Sequence, residues 1–278
     1  YEDLFYKNTY FPGIIFDLFY SFFLWASTTI MCTGMIIIFN NHLFIPLKYS
    51  IILVFLIIFF ILIFKLKGIF SINIFMIPLL IIITAITVIK YIPEYSIGFF
   101  NHILLNIEDN QSTVYYRWFI DSLLYGAYNL SLVLGVVVTI LKDFNKKEII
   151  TSTFLGGSLL VFLNFLIFLA LNTAFYKKPL EEIPMLFLAK ENGSFYYYVF
   201  IIALFFAMLS TALANSYTLV KRVEKISKSY NITLLIILLS VFSLSGIGFS
   251  KLVDILYPIS GLFGLILLTY LAYILFNE

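Results

Sequence analysis

Four residues in the middle of one long apolar run could hold a small polar solute. Tyr125, Gly126, Tyr128 and Asn129 fall within the segment YGAYNLSLVL, where leucine or isoleucine would otherwise be expected. The tyrosines supply hydroxyl groups, the asparagine supplies donors and an acceptor, and the glycine weakens a helix. We therefore expect the helix to break at this segment and to expose polar groups to a bound molecule.

A second polar cluster lies on another apolar run. Ser210 and Thr211 are adjacent in the segment MLSTALANSY, and Asn215 follows Thr211 by four residues, about one helical turn. A lone serine or asparagine in such a run is more often a helix-packing residue. Two clusters near the midpoints of separate runs instead indicate a cavity between helices. No carboxylate falls near a midpoint, so hydroxyl and carbonyl oxygens are better candidates for holding a cation than a titrating acid.

The charged residues of the apolar runs lie near the ends of those runs. Arg117 and Asp121 are four residues apart, which places them on one face of a helix as an ion pair. A charge costs less near the end of an apolar run than at its centre. We expect this pair, and likewise Asp17, to be structural or to take part in gating.

The residue types leave little for enzyme chemistry. The two histidines, His42 and His102, are far apart in sequence, and Cys32 is the single cysteine. The sequence contains neither a metal-binding spacing nor a glycine-rich phosphate loop before a helix. We therefore expect no catalytic residues, no metal site and no cofactor, and we do not expect an enzyme.

The elements that carry these residues are predicted to be membrane helices. Of the 278 residues, 62% are hydrophobic and only 12% are charged, and the mean hydropathy is +1.05. Soluble domains are typically about 45–50% apolar and about 25% charged. Because the apolar runs are continuous rather than alternating, we predict an all-α polytopic membrane protein. The lipid bilayer is its expected partner, and the net charge of +2 gives no reason to expect nucleic acid.

Eight runs come close enough to the length of about 20 apolar residues that a span needs. The predicted spans are residues 12–39, 49–64, 69–89, 116–141, 148–172, 195–220, 231–248 and 250–275. Segment 91–115 is too polar to span, and we predict an external loop with an interfacial helix there. Segment 180–189 is too short to span and predicts a small helix.

Basic residues indicate the orientation of these spans. Lysine and arginine cluster in loops on one side, in the segments KLK, KDFNKK and KRVEKISK. Because basic loops tend to stay in the cytoplasm, we expect both ends of the chain to be cytoplasmic.

Several small or polar residues within the spans predict contacts between helices rather than a site. Membrane helices approach closely where glycine, serine or asparagine lies at the contact. The residues interpreted in this way are Gly34, Gly156, Gly157, Asn164, Ser240, Ser243 and Ser245.

Four segments resemble one bacterial family. LLYGAYNLSLVLGV, EEIPMLFLA, LSTALANSYTLVKRV and FSKLVDILYPISGLFGLILL are similar to segments of the YkvI-like membrane proteins, and the resemblance covers essentially the whole chain. That family looks like a distant branch of the amino acid–polyamine–organocation transporters, which share a five-plus-five inverted-repeat fold, the LeuT-like fold. The resemblance implies a multi-pass protein of the bacterial plasma membrane.

The resemblance also implies which spans are present. Family members have ten spans, so the eight predicted here would be the third to the tenth, and the first two would be missing. The chain would then be one transmembrane domain, with residues 1–90 as the remainder of the first repeat, 91–115 as the external loop and 116–278 as the second repeat. The segments FSINIFMIP and FSKLVDILYP form a weak internal echo of such a repeat.

Two functions require the same cavity. The polar clusters and the resemblance favour a secondary transporter of a small organic solute such as an amino acid, with Tyr125, Gly126, Tyr128 and Asn129 binding the substrate. By analogy with sodium-coupled relatives, Ser210 and Thr211 would hold the ion, which makes sodium the candidate coupling ion. The alternative is a solute-sensing receptor subunit on the same fold, like the permease-like germinant receptor components of spore formers, which binds without net transport.

Overall fold

The structure, a computed structural model, describes residues 10–64, 69–89, 113–140, 145–175 and 183–277. These residues form nine α-helices and no β-strand. The helices are α1 Tyr10–Ile37, α2 Leu47–Ile63, α3 Ile69–Ile89, α4 Thr113–Ile140, α5 Lys146–Phe175, α6 Pro184–Glu191, α7 Ser194–Ser227, α8 Tyr230–Ser243 and α9 Phe249–Asn277. A π-helical turn, Ile38–His42, continues α1, and a 3-10 turn, Ser245–Ile247, follows α8.

The all-helical fold predicted from hydropathy is confirmed for the described residues. Each predicted span coincides with one helix, and α6 overlaps the predicted small helix. Five helical stretches of the described residues, two of them including the turn that follows α1 or α8, are long and apolar enough to cross a membrane. These segments are Asp17–His42, Lys146–Leu171, Ser194–Glu224, Tyr230–Ile247 and Phe249–Tyr273. Leu47–Ile63 and Pro78–Ile89 are shorter apolar helices, so the count of eight spans stays a prediction.

Some of the predicted features lie outside the described residues. Positions 90–112 of the predicted external loop belong to this group, and positions 113–115 of the predicted loop are the first residues of α4. The first part of the predicted small helix, up to position 182, and the predicted basic turn KLK are also outside them.

The helices form two compact units. The first contains α1, α2, α8, α9, α4 from Tyr116 and α7 from Met208. The second contains α3, α5, α6 and α7 up to Ala207. The division into two sequence repeats stays a prediction.

The first unit is organised around α1. In an apolar window of 18 residues within the segment Asp17–His42, 78% of the residues are buried, the largest share among the five candidate spans. Ala26 and Ile30 of α1 pack against Leu252 and Leu256 of α9 in one buried cluster. Small and branched side chains at this spacing place one continuous face of α1 against α9.

The second unit has a smaller buried cluster, formed by Val88 of α3, Ala170 of α5 and Leu188 of α6. The side-chain amide of Asn192, just after α6, donates to the carbonyl of Thr87 at 3.0 Å. This hydrogen bond ties the turn between α6 and α7 to the end of α3.

The predicted break in α4 is wrong. The helix runs from Thr113 to Ile140 without interruption. The Asn129 side-chain amide donates to the carbonyl of Tyr125 at 2.8 Å, so this polar group is satisfied by its own helix. A single glycine costs a helix only about 1 kcal/mol relative to alanine, and Gly126 is tolerated within it.

Candidate functional site

A buried polar cluster joins three helices of the first unit, and we call it the polar hub. It consists of Ser27 of α1, Tyr128 of α4 and Asn215 of α7. The Ser27 hydroxyl oxygen accepts a hydrogen bond from the Tyr128 hydroxyl at 3.2 Å and one from the Asn215 amide at 2.9 Å. All three side chains are buried, and each lies well inside its helix.

Ser27 differs from its hydroxyl-bearing neighbours on α1. Thr28 donates to the carbonyl of Leu24 at 2.8 Å, and Thr29 donates to the carbonyl of Trp25 at 2.9 Å. Such bonds to the preceding turn satisfy a hydroxyl inside an apolar helix without any other partner. The Ser27 oxygen instead serves two other helices, so it is the point at which α1, α4 and α7 are connected.

Tyr128 is positioned by a close approach between α4 and α9. An ideal Cβ atom at Gly261 would lie 2.6 Å from the Leu124 carbonyl oxygen, and one at Gly264 would lie 2.6 Å from that of Ala127. These distances are too short for any side chain, so the two backbones approach because α9 has glycine at both positions.

Aromatic rings enclose Tyr128 at this crossing. Its ring centroid lies 4.6 Å from that of Tyr257 on α9 and 5.0 Å from that of Phe23 on α1. Both separations fall at the short end of the range preferred for aromatic pairs. The Tyr128 hydroxyl is thus held against Ser27 by packing on its own ring.

Only one of the four predicted substrate-binding residues belongs to the polar hub. Tyr128 does, whereas Asn129 bonds its own helix and Tyr125 is exposed. The Tyr125 ring lies 6.2 Å from that of Tyr257, so it borders the same crossing. Apart from its chain neighbours and the adjacent backbone of α4, no atom of the described residues lies within 4 Å of an ideal Cβ at Gly126.

The second predicted cluster is partly at the hub. Asn215 is one of the three hub residues, and Ser210 is buried on the same helix, while Thr211 is half-buried. Binding of an ion by Ser210 and Thr211 stays a prediction.

The predicted ion pair of α4 is present at the surface. The Arg117 Nε and Asp121 Oδ2 atoms are 3.8 Å apart, and both side chains are exposed. A pair so exposed contributes little to stability. Asp17, for which no partner was predicted, forms an ion pair with Arg222 of α7.

The sequence reasoning missed Ser27 and Tyr257. A signal for Ser27 was present, because Ser27, Thr28 and Thr29 are three consecutive hydroxyl residues near the middle of the first predicted span. The contact of Tyr257 depends on the rotation of α9 and leaves no sequence signal. Of the serines predicted to mediate helix contacts, Ser240 does so by accepting a hydrogen bond from Trp25 Nε1 at 2.9 Å.

The hub offers binding chemistry rather than covalent chemistry. A serine, a tyrosine and an asparagine supply uncharged hydrogen-bond donors and acceptors. Within the described ranges, no three His, Cys, Asp or Glu side chains form a group that could hold a metal ion. The chemistry available at the hub is therefore hydrogen bonding by uncharged groups.

The chain is similar in sequence to a bacterial membrane protein. It is 24% identical over 260 residues to the uncharacterised membrane protein YkvI of Bacillus subtilis (strain 168). The aligned part covers 90% of this chain and 70% of that protein. No protein-family model and no solved structure matches the chain. The resemblance of this chain to the YkvI-like bacterial membrane proteins, indicated by its motifs, is therefore confirmed.

Proposed function

We propose that this protein is a secondary transporter of a small organic solute such as an amino acid, and that the solute binds at the polar hub. The observation that carries the proposal is the meeting of three uncharged polar side chains from three apolar helices in a buried position. Polar groups inside membrane helices are costly unless they are paired, and transporters gather them at the substrate site. The similarity to a membrane protein supports a role in the membrane.

The hydrogen bonds of the hub are of a kind that a solute can replace. Ser27 accepts from two helices, and a carboxylate could accept from the same two donors, the Tyr128 hydroxyl and the Asn215 amide. The serine hydroxyl and the asparagine carbonyl oxygen can in turn face an ammonium group. A zwitterionic amino acid therefore has groups that complement both sides of the hub. Exchanging helix–helix bonds for helix–solute bonds would allow α1, α4 and α7 to separate around the solute.

Sodium is the proposed coupling ion, with Ser210 and Thr211 as its ligands. This part of the proposal depends on fold-level analogy and on the position of both residues on α7, within two turns of Asn215.

Thermal unfolding of the purified full chain in detergent tests solute binding. Each of the twenty amino acids is added with and without sodium chloride, and a bound solute should raise the Tm by mass action. The Tyr128→Phe variant removes the hydroxyl but keeps the ring, so it should lose most of this shift. If no amino acid raises the Tm under either condition, the proposed solute class is wrong.

Asn129→Leu distinguishes the hub from the site predicted from the sequence. Asn129 bonds its own helix, so a hub site should retain the solute-induced Tm shift in this variant. Loss of the shift in Asn129→Leu, with retention in Tyr128→Phe, would place the site at the sequence-predicted segment instead.

Uptake into proteoliposomes distinguishes a transporter from a sensor. A solute that stabilises the protein should also accumulate inside vesicles containing it, and Ser210→Ala/Thr211→Ala should weaken any dependence on a sodium gradient. Binding without uptake would support the solute-sensing receptor subunit.

A further inference from the structure

Asn164 of α5 is a polar side chain without a partner in the described part of the chain. It is exposed, and its amide forms no hydrogen bond with the described residues. Asn129 of α4, by contrast, bonds the carbonyl of the preceding turn. Asn164 lies seven residues, about 10 Å, before Leu171, at which the candidate span of α5 ends.

This depth places the Asn164 amide among lipid acyl chains. The hydrocarbon core of a bilayer is about 30 Å thick, and it offers neither a donor nor an acceptor. An amide without a hydrogen bond is costly in such surroundings. Asn164 therefore needs a partner that the described part of one copy of the chain does not provide.

Asn164 belongs to a line of exposed side chains along α5. The spacing alternates between four and three residues, which keeps the members of the line on one face of a helix. The members are Ile150, Phe154, Gly157, Val161, Asn164 and Phe168. The line is 18 residues or about 27 Å long, so a second helix could contact α5 across most of the hydrocarbon core.

An open hollow of about 540 Å3 lies at the middle of this line. Its lining consists of three smaller residues and three phenylalanines, namely Gly157, Ser158, Val161, Phe154, Phe162 and Phe165. Glycine at such a position lets the backbone of another membrane helix approach closely. A hollow between large aromatic side chains has the shape that accepts a helix carrying large side chains of its own.

We propose that two copies of this chain associate along α5, with the Gly157 residues at the crossing and the two Asn164 amides hydrogen-bonded to each other. Copies of one chain insert in the same direction, so a twofold axis along the bilayer normal places each residue at the depth of its counterpart. An asparagine amide both donates and accepts hydrogen bonds, so two of them at one depth satisfy each other.

A second copy matches this face better than lipid does. An acyl chain can fill the hollow beside Gly157, but it has no group that bonds the Asn164 amide. The second copy brings the amide, and its phenylalanines are large side chains of the kind that the hollow accepts. The proposal concerns self-association and does not depend on the proposed function.

Disulfide cross-linking in liposomes tests the contact. Cys32 is replaced by serine, Val161→Cys is introduced, and the purified full chain is reconstituted at several protein-to-lipid ratios and oxidised with copper phenanthroline. A disulfide forms only where two Cβ atoms come within about 4 Å, as they do beside a twofold axis. We expect most of the Val161→Cys protein to become a covalent dimer.

Leu155→Cys is the matched control on the same helix. Leu155 is 63% exposed and Val161 is 70% exposed, but Leu155 lies about 120° away around the helix. It should give little covalent dimer at the same protein-to-lipid ratio. Equal yields from the two positions would indicate random collision and would contradict the proposal.

Substitutions at Asn164 and Gly157 test what holds the two copies together. In the Val161→Cys protein, Asn164→Leu removes the amide, and about ten times more protein per lipid should be needed for the same yield of dimer. Asn164→Gln keeps an amide and should retain most of the yield. Gly157→Leu fills the hollow and should also lower the yield.

Thermal unfolding in detergent separates these effects from misfolding. All three substitutions lie at exposed positions of one copy, so the variants should unfold at the Tm of the parent. Unchanged cross-linking in Asn164→Leu would contradict the role of the amide. Monomers at every protein-to-lipid ratio would show that lipid or another protein covers this face, and would overturn the proposal.

Discussion

Helices α1 and α5 have similar hydropathy but very different surroundings. Their candidate spans, Asp17–His42 and Lys146–Leu171, each contain 26 residues, with hydropathies of 1.9 and 2.4. Within an apolar window of 18 residues in each span, 78% of the residues are buried in the first span and only 11% in the second. Hydropathy therefore identifies which segments leave water, but it does not identify which of them becomes the centre of a unit.

The difference follows from the side chains that can make specific contacts. Polar groups of α1 bond three other helices. Trp25 bonds Ser240 of α8, the Ser27 hub joins α4 and α7, and Asp17 pairs with Arg222 of α7. On α5, by contrast, Asn164 is exposed. In a bilayer apolar side chains gain little by leaving lipid for protein, so packing and interhelical hydrogen bonds determine which helices associate.

The glycines of the two helices show the same contrast. An ideal Cβ at Gly34 would lie 2.8 Å from the Met208 sulfur, which confirms the interpretation of Gly34 as a packing residue. Apart from chain neighbours and the adjacent backbone of α5, no atom of the described residues lies within 4 Å of such a Cβ at Gly156 or Gly157. The packing interpretation is therefore not supported at those two positions.

Removal of a β-branched side chain should give the largest difference in lost stability between α1 and α5. Ile30 is fully buried on α1, and Val161 is 70% exposed on α5. Ile30→Ala should lower the free energy of unfolding by about 2–4 kcal/mol because it leaves a cavity. Val161→Ala should change it by less than about 0.5 kcal/mol. Unfolding by SDS in mixed micelles measures both, and equal losses would contradict the assignment of α1 as the central helix.

A somewhat smaller difference is expected from filling the two glycine positions. Gly34→Leu must displace the Met208 side chain and should cost about 1–3 kcal/mol through overpacking. Gly157→Leu has space and should be close to neutral. The same SDS titration compares them, with Gly34→Ala as a milder variant. A neutral Gly34→Leu would show that α1 and α7 are not in close contact there.

Removal of one hydroxyl group from each helix should give a still smaller difference in the free energy of unfolding. Ser27→Ala leaves the Tyr128 hydroxyl and the Asn215 amide without their shared acceptor, and we expect a loss of about 1–2 kcal/mol. Ser158→Ala on the exposed α5 surface should have no measurable effect. The double variant Ser27→Ala/Tyr128→Phe should lose less than the sum of the two single losses, because the residues share one bond. Additive losses would contradict the hub.

The smallest expected effect is that of a single interhelical hydrogen bond. Trp25→Phe removes the donor to Ser240 but keeps an aromatic ring, and should cost about 0.6–1 kcal/mol. Phe162→Leu, on exposed α5, should cost less than this. The midpoints of SDS unfolding of the two variants measure these losses. A larger loss of stability in Phe162→Leu than in Trp25→Phe would contradict the contrast between α1 and α5.

Much of the fold could be predicted because hydropathy is a property of consecutive residues. Each predicted span coincides with a helix, and the ends of α2 and α3 agree with their predicted limits to within two residues. The break in α4 was mispredicted because polar residues inside a helix can bond the preceding turn, as Asn129 does. Sequence composition does not distinguish this local bond from an opened helix.

The candidate site could be predicted only in part. Tyr128 and Asn129 are neighbours in sequence, yet one joins the hub and the other does not. Successive residues of a helix point about 100° apart, so the rotation of α4 against α1 and α9 determines which side chain reaches a partner.

The sequence by itself determined the all-helical class, the positions of the helices and the presence of polar groups deep within apolar segments. These features could be predicted because the hydropathy of a segment and the spacing of its charges are properties of consecutive residues. Only the tertiary structure decided that Ser27, Tyr128 and Asn215 meet, and that Asp17 and Arg222 pair across 205 positions of sequence. Those contacts depend on the rotation and crossing of whole helices, which follow from packing between distant segments.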